Sequence, residues 1–320
     1  MQWPRDLLAQ YWFNLYGQLL MRAAPRFGVA ILWMAALLAS WASPASDKTR
    51  TDSLYEQLAD LNAQLREESG QSRGDAVVVR YRQLTAGIQP CAEGTIHGFN
   101  NDDLFRATAY AEFYSLEAAD VDVLGCLYRK LAAAGGLTDW HTQTYAGALV
   151  TVARYSEANE LRRHSGSTDL PVLPQLKIPR TVVGSSFRLI ALEDRMHARV
   201  EAWTPEKHRA RIVAVVHPTC AFSVRALSEI EQKPELQWIR DNLLLVVPPD
   251  TALAVNGILA WNTAHPKLQM HPMYLRHDWK ALTSLDTPTF YLVQDGKVLT
   301  SFEGWPNSKG LAALQATVPR

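Results

Sequence analysis

Apolar and polar positions change their spacing twice along the chain, and each change marks a boundary. Phe27 to Ser46 (FGVAILWMAALLASWASPAS) carries no charge, follows Arg22 and Arg26, and ends in small residues. A basic start, an apolar centre short for a membrane span and a small-x-small pattern at Ser43-Pro44-Ala45 predict an export signal or membrane anchor over residues 1–46. Read from Met21, the same layout is that of a secretory signal preceded by an extension. Acidic Asp47, Asp52 and Glu56 around its exit place the remainder outside the cytoplasm, either periplasmic or anchored to the inner membrane and facing the periplasm.

The period then becomes helical. Leu54, Leu58, Leu61 and Leu65 alternate four- and three-residue steps, a single stripe expected to pack on the helices that follow. An all-α domain is predicted over residues 50–166. NDDLFRATAYAEFYSLEAA opens on an Asn101 or Asp102 cap, DVDVLGCLYRKLAAAGG stops at Gly135 and Gly136, and TDWHTQTYAGALVTVARYSEANELRRH follows. Its texture of Ala146, Ala148, Tyr155 and Ala158 resembles a degenerate tetratricopeptide-type pair, without a fixed period. Such a pair implies a docking surface rather than a catalytic one.

Pro171, Pro174 and Pro179 forbid helix and predict an extended linker over 167–183. Beyond it, over 184–320, the period is that of strands. SSFRLIAL and HARVEAW are joined across Glu193-Asp194-Arg195, and RARIVAVVH and NLLLVVP are buried runs flanking a helix. A helical stretch near ALAVNGILAWN comes next. TPTFYLVQDGKVLTSFEGW then reads as a hairpin turning at Asp295-Gly296, with Trp305 in the core. The expectation is an α/β layer with a mixed sheet flanked by helices.

Acids and bases balance at 32 each, so no overall field favours nucleic acid. Nucleotide-loop, HExxH, GxSxG and EF-hand spacings are absent from the sequence, and no cofactor is expected. Three cysteines in an oxidising compartment leave one over. Cys91 and Cys126 either form a structural disulfide or are buried small hydrophobes, and Cys220 is the lone thiol.

In VVHPTCAFSVRAL, Cys220 stands where a buried strand gives way to a helix, among the unpaired N–H groups that stabilise a thiolate. Thr287-Pro288 enters a second buried strand, an X-Pro bond that can be cis and leave the preceding backbone open to an extended peptide. The order strand, TCAFS, helix, strand, DTPTFYLV, DGKVL, Gly304-Trp305 and final helix resembles the thioredoxin-like superfamily from Gly184 to Arg320. FRLIALEDRMHARVEAW is similar to the hairpin that opens the exported, membrane-associated thiol-disulfide oxidoreductases of bacteria. The resemblance implies a thioredoxin-like C-terminal domain after the helical one. CAFS is also similar to the CGFS of monothiol glutaredoxins, but the export signal and the lack of a glycine pair near Pro288 argue against that assignment.

The departures from the family direct the chemistry. Ser223 replaces the second cysteine, Thr219 the aromatic residue before the first, and RIVAVV carries no acid. Cys220 can therefore attack a disulfide but has no neighbouring thiol with which to release the mixed disulfide. One reading is a monothiol reductase or isomerase resolved by a substrate thiol, glutathione or a partner protein. A second is a redox-inactive binding, chaperone or assembly module for extended segments in the cell envelope. A third is copper handling to which Cys220 contributes its thiolate beside His265, Met270, His271, Met273 and His277, against which stands the reading of those five as loop and core residues. For the first two, Cys220, Ser223 and Pro288 are the expected centre, with His217, Thr219, Phe222 and Thr287 around the bound segment. His217 either lowers the thiol pKa as an imidazolium or lies at the surface. Ser223 either donates to the thiolate or caps the backbone. Expected partners are cysteine-containing or extended protein segments, an external thiol reductant and, through the N-terminal segment, the inner membrane.

Overall fold

The computed structural model describes residues 53–92, 100–205 and 207–317. The expected signal or anchor falls outside the described residues, and among them no helix is long and apolar enough to cross a membrane. A helical N-terminal region precedes a mixed-sheet α/β region with flanking helices.

Among the described residues, six helices form the first region: α1 (Leu54–Gln64), α2 (Gly70–Leu84), α3 (Asn101–Ser115), α4 (Ala118–Ala133), α5 (Asp139–Thr151) and α6 (Tyr155–Ser165). Ser53 starts α1 through a reciprocal capping box: its Oγ accepts the Glu56 N–H at 2.9 Å, and Glu56 accepts the Ser53 N–H at 3.3 Å. Leu54 and Leu58 are buried while Leu61 and Leu65 lie at its margin. Helix α2 has no counterpart in the sequence-based expectations, since its two glycines and clustered valines blur the apolar stripe. Cys91, just beyond α2, is bonded to Cys126 of α4.

The stretch TDWHTQTYAGALVTVARYSEANELRRH, continuous in sequence pattern, is two helices. It breaks at Ala153, which adopts φ 56°, while Arg154 N–H returns to Leu149 C=O at 2.9 Å and Ala153 N–H to Val150 C=O at 3.0 Å. This is the glycine-type helix stop built on alanine, so no glycine announced it.

Among the described residues, the second region holds two sheets. β1 (Gln175–Lys177), β2 (Arg188–Leu192) and β3 (His197–Ala202) form the order β1-β3-β2, with β2 and β3 an antiparallel hairpin and β1 parallel to β3. The proline-rich stretch is thus not free linker: it contributes β1 and a 3-10 turn at Arg180–Val182, and buries Leu170 and Leu173.

The larger sheet comprises β4 (Arg211–Val215), β5 (Leu243–Val247), β6 (Met270–Pro272), β7 (Thr289–Gln294) and β8 (Lys297–Glu303), ordered β6-β5-β4-β7-β8. β4, β5 and β6 are parallel, β7 is antiparallel to β4, and β8 is antiparallel to β7, which completes a mixed sheet. Side-chain alternation divides its two faces. Ile212, Ala214, Val216, Leu245, Phe290 and Leu292 face the helices α7 (Ala221–Gln232), α8 (Gln237–Arg240), α9 (Val255–Ala264) and α10 (Ser308–Thr317). Val213, Val215, Val246, Tyr291 and Val293 face Leu189 of β2 and the segment bearing Trp279 and Leu282. Trp305 is buried on the helical face.

The two regions share a core. Ile190 of β2, Ala198 of β3 and Leu173 belong to the same buried cluster as Leu104, Leu124 and Leu149 of the helices. The described residues accordingly form one compact unit.

Candidate active site

Parallel strands β4 and β5 end side by side, and their C-terminal ends carry the loops that build the site. Val216 still bonds to Val246 (2.9 Å), after which His217-Pro218-Thr219 leads to Cys220, the N-cap of α7. Cys220 N–H donates to His217 C=O at 3.1 Å, closing that turn, and Val224 N–H donates to Cys220 C=O at 3.0 Å, opening the helix.

Cys220 is partly buried, and it is the free thiol among the described cysteines. Its Sγ lies 3.5 Å from the Thr287 carbonyl, immediately before the cis Thr287-Pro288 bond. The strand pair β4–β7 thus brings positions far apart in sequence together: Val215 pairs with Thr289. No hydrogen bond to the Thr287 main-chain N–H occurs among the described residues. Pro288 is buried, while its carbonyl accepts Gly304 N–H at 2.9 Å.

Ser223, fully buried, receives the His217 main-chain N–H on its Oγ at 3.2 Å. With its oxygen so used, its hydroxyl proton remains for the sulfur. Burial pushes the Cys220 thiol up, but the side chains of Thr287 and Ser223 and the amides of Ser223 and Phe222 outweigh it, leaving the thiol below the usual cysteine range. The Thr287 carbonyl works in the opposite sense, since an acceptor favours the protonated sulfur. Phe222 is 38% exposed and Thr219 is exposed beside it, so both flank the thiol.

The His217 ring is hydrogen-bonded through Nδ1, and its Nε2 is buried without a hydrogen-bond partner among the described residues. Nδ1 accepts the Thr219 N–H at 3.3 Å and lies 2.8 Å from Thr219 Oγ1, while Nε2 faces the Asp250 carboxylate at 3.5 Å. Asp250 is held below the usual carboxylate range, chiefly by His217 and against the effect of burial. Asp250 went unremarked in the sequence. The signal was its place three residues beyond the end of β5, beside a residue two beyond the end of β4, and it becomes readable only with the strand register.

The five residues considered for copper disperse. Met270 is buried on the helical face of the sheet and Met273 on the opposite face. The His265 ring stacks on Trp261 at 3.9 Å and its Nδ1 meets Glu231 at 2.7 Å, whereas exposed His277 contacts Asp278. Burial pushes His271 down. Among the described residues, no three His, Cys, Asp or Glu side chains gather to hold a metal ion. The segment instead supplies the edge strand β6.

No protein-family model, curated protein or solved structure matches the chain.

Proposed function

We propose that this protein is an exported thioredoxin-like thiol-disulfide exchange protein acting through Cys220 alone. The observation that carries this reading is the convergence on one partly accessible sulfur of a helix N-terminus, the Ser223 hydroxyl and the Thr287-Pro288 backbone. In the exchange, the Cys220 thiolate attacks one sulfur of a substrate disulfide, forming a new S–S bond as the old one breaks. The departing sulfur leaves as a thiolate and takes a proton from water. Resolution needs a second thiolate from the substrate or from an external thiol, because position 223 is a serine. The Cys91–Cys126 bond supports an oxidising compartment.

Exposed Phe222 and Thr219, next to the open Thr287 N–H, suit an extended peptide laid along the cis-proline strand. The test uses the full chain and a peptide disulfide carrying a chromophore. A covalent adduct at Cys220, absent from Cys220→Ser and released by added thiol, is expected. Peptide retention without an adduct would overturn exchange in favour of a binding role.

A further inference from the structure

The helical region reaches the thiol through a series of contacts that begins at a glycine. A Cβ placed on Gly147 of α5 would stand 2.9 Å from the Cβ of Thr251, so glycine is what admits Thr251 to that position. Leu253, two residues further along the same loop, packs against the helical core. The loop after β5 is thereby seated on the helices, and Asp250 lies between the strand and the seat.

Asp250 in turn addresses His217. An amide can only donate, so the Thr219 N–H bond to Nδ1 leaves that nitrogen without a proton. The ring proton is therefore on Nε2, which is buried without a hydrogen-bond partner among the described residues and has the Asp250 carboxylate 3.5 Å away as its ion-pair neighbour. The main chain of the same histidine does the rest: its N–H fixes Ser223 Oγ and its C=O receives Cys220 N–H. On the opposite flank Gly257 of α9 admits Pro218, whose Cβ and Cγ would lie 3.3 Å from a Cβ there.

We infer that the helical region sets the reactivity of Cys220 through Gly147, Thr251, Asp250 and His217, with Asp250 and His217 as positioning residues. This deepens the proposed exchange and rests on it for any consequence in turnover, while the positioning is read directly from the thiol.

The experiment is the rate of Cys220 alkylation against pH in the full chain, for the parent, Asp250→Asn, Gly147→Ala and Gly147→Ala with Thr251→Gly. The sign decides. Removing a nearby negative charge favours a thiolate and would speed alkylation at pH 7, whereas loss of positioning slows it. Asp250→Asn is expected to slow it by roughly threefold, the scale of a half-exposed carboxylate contact. Gly147→Ala should slow it with no change of charge, and Thr251→Gly should restore it. Ring ¹⁵N shifts should show His217 losing its Nε2–H form in Asp250→Asn. Faster or unchanged alkylation in Asp250→Asn, with unaltered ring shifts, overturns the inference. Asp250→Asn alters a side chain that is 44% exposed, so it carries the test even if Gly147→Ala does not fold. A parent midpoint at the ordinary cysteine value would instead defeat the exchange reading. The variant-minus-parent differences still decide the positioning.

Discussion

The main-chain N–H of His217 donates to Ser223 Oγ across 3.2 Å, which ties the end of a buried strand to the first turn of the helix it feeds. The serine thus satisfies a backbone donor with its oxygen and keeps its hydroxyl proton available to the Cys220 sulfur. Ser223→Ala removes both. Alkylation of Cys220 at pH 7 should slow about tenfold, the scale of one hydrogen bond to a charged group, with the midpoint of the rate profile moving up. The orphaned N–H should also cost about 1–3 kcal/mol in denaturant unfolding. A slowed thiol without lost stability would mean that the amide finds water.

Ser223→Cys tests the chemistry from the other side. A second thiol three residues after the first can attack the mixed disulfide and release reduced substrate, regenerating a free site only with added reductant. Adducts trapped by the parent should disappear in this variant, and catalysed reduction of a protein disulfide by dithiothreitol should rise. Adducts that persist unchanged would show that the introduced sulfur cannot reach Cys220.

Arg188 holds Asp278 by two parallel bonds, Nε to Oδ2 at 2.9 Å and Nη2 to Oδ1 at 2.8 Å, with the carboxylate only 2% exposed. The pair fastens β2 to the turn that places Trp279 beneath the sheet, and Trp279 Nε1 returns a bond to Arg188 C=O at 2.9 Å. Arg188→Met removes the bidentate partner of a buried carboxylate and leaves it only the exposed His277, 3.1 Å from Oδ1. Chemical denaturation should register a loss of about 3–5 kcal/mol, much of it recovered when Asp278→Leu is added.

Glu112 is 3% exposed in the helical core, and burial, reinforced by Asp120, pushes it up to about 7 despite the opposing Thr151 hydroxyl. The local bonding also accommodates the protonated form. Thr151 has one hydroxyl proton but lies 2.7 Å from Ala148 C=O and 2.6 Å from Glu112 Oε1, so both contacts are satisfied when Glu112 supplies a proton of its own. The folded value is above the ordinary 4.5. The folded state therefore keeps a proton that the unfolded chain releases. Stability is fully present below about 4.5, declines as pH rises towards 7, and levels off above it. Glu112→Gln, which needs no proton, should gain up to about 3 kcal/mol over the parent at pH 8 and almost nothing at pH 4. An equal effect at both values would remove the carboxyl from this account.

The elements around Cys220 were legible because their physics is local. Val213 to Val216 alternate across a sheet buried on both faces, Asp295-Gly296 can only turn, and a cysteine between strand and helix announces a helix N-terminus. What escaped notice depended on position in space. Asp250 has no distinguishing sequence context until β4 and β5 are known to be parallel neighbours. The helix stop at Ala153 uses a residue that favours helices elsewhere. Edge strand β6 is three residues inside a segment whose histidines and methionines drew a chemical reading. Strand β1 hid among prolines, which suit an edge because the hydrogen bonds they lack are not required there.

That strand also bears on how the protein can be divided. Because Gln175, Leu176 and Lys177 pair with His197, Ala198 and Arg199, a cut at the apparent linker would strip one strand from the small sheet. It would also uncover Ile190 and Ala198, which the helices now bury. The halves therefore behave as inseparable in practice: a recombinant piece starting near 184 would carry a raw apolar face and self-associate, and protease digestion of the native chain should not yield two stable fragments.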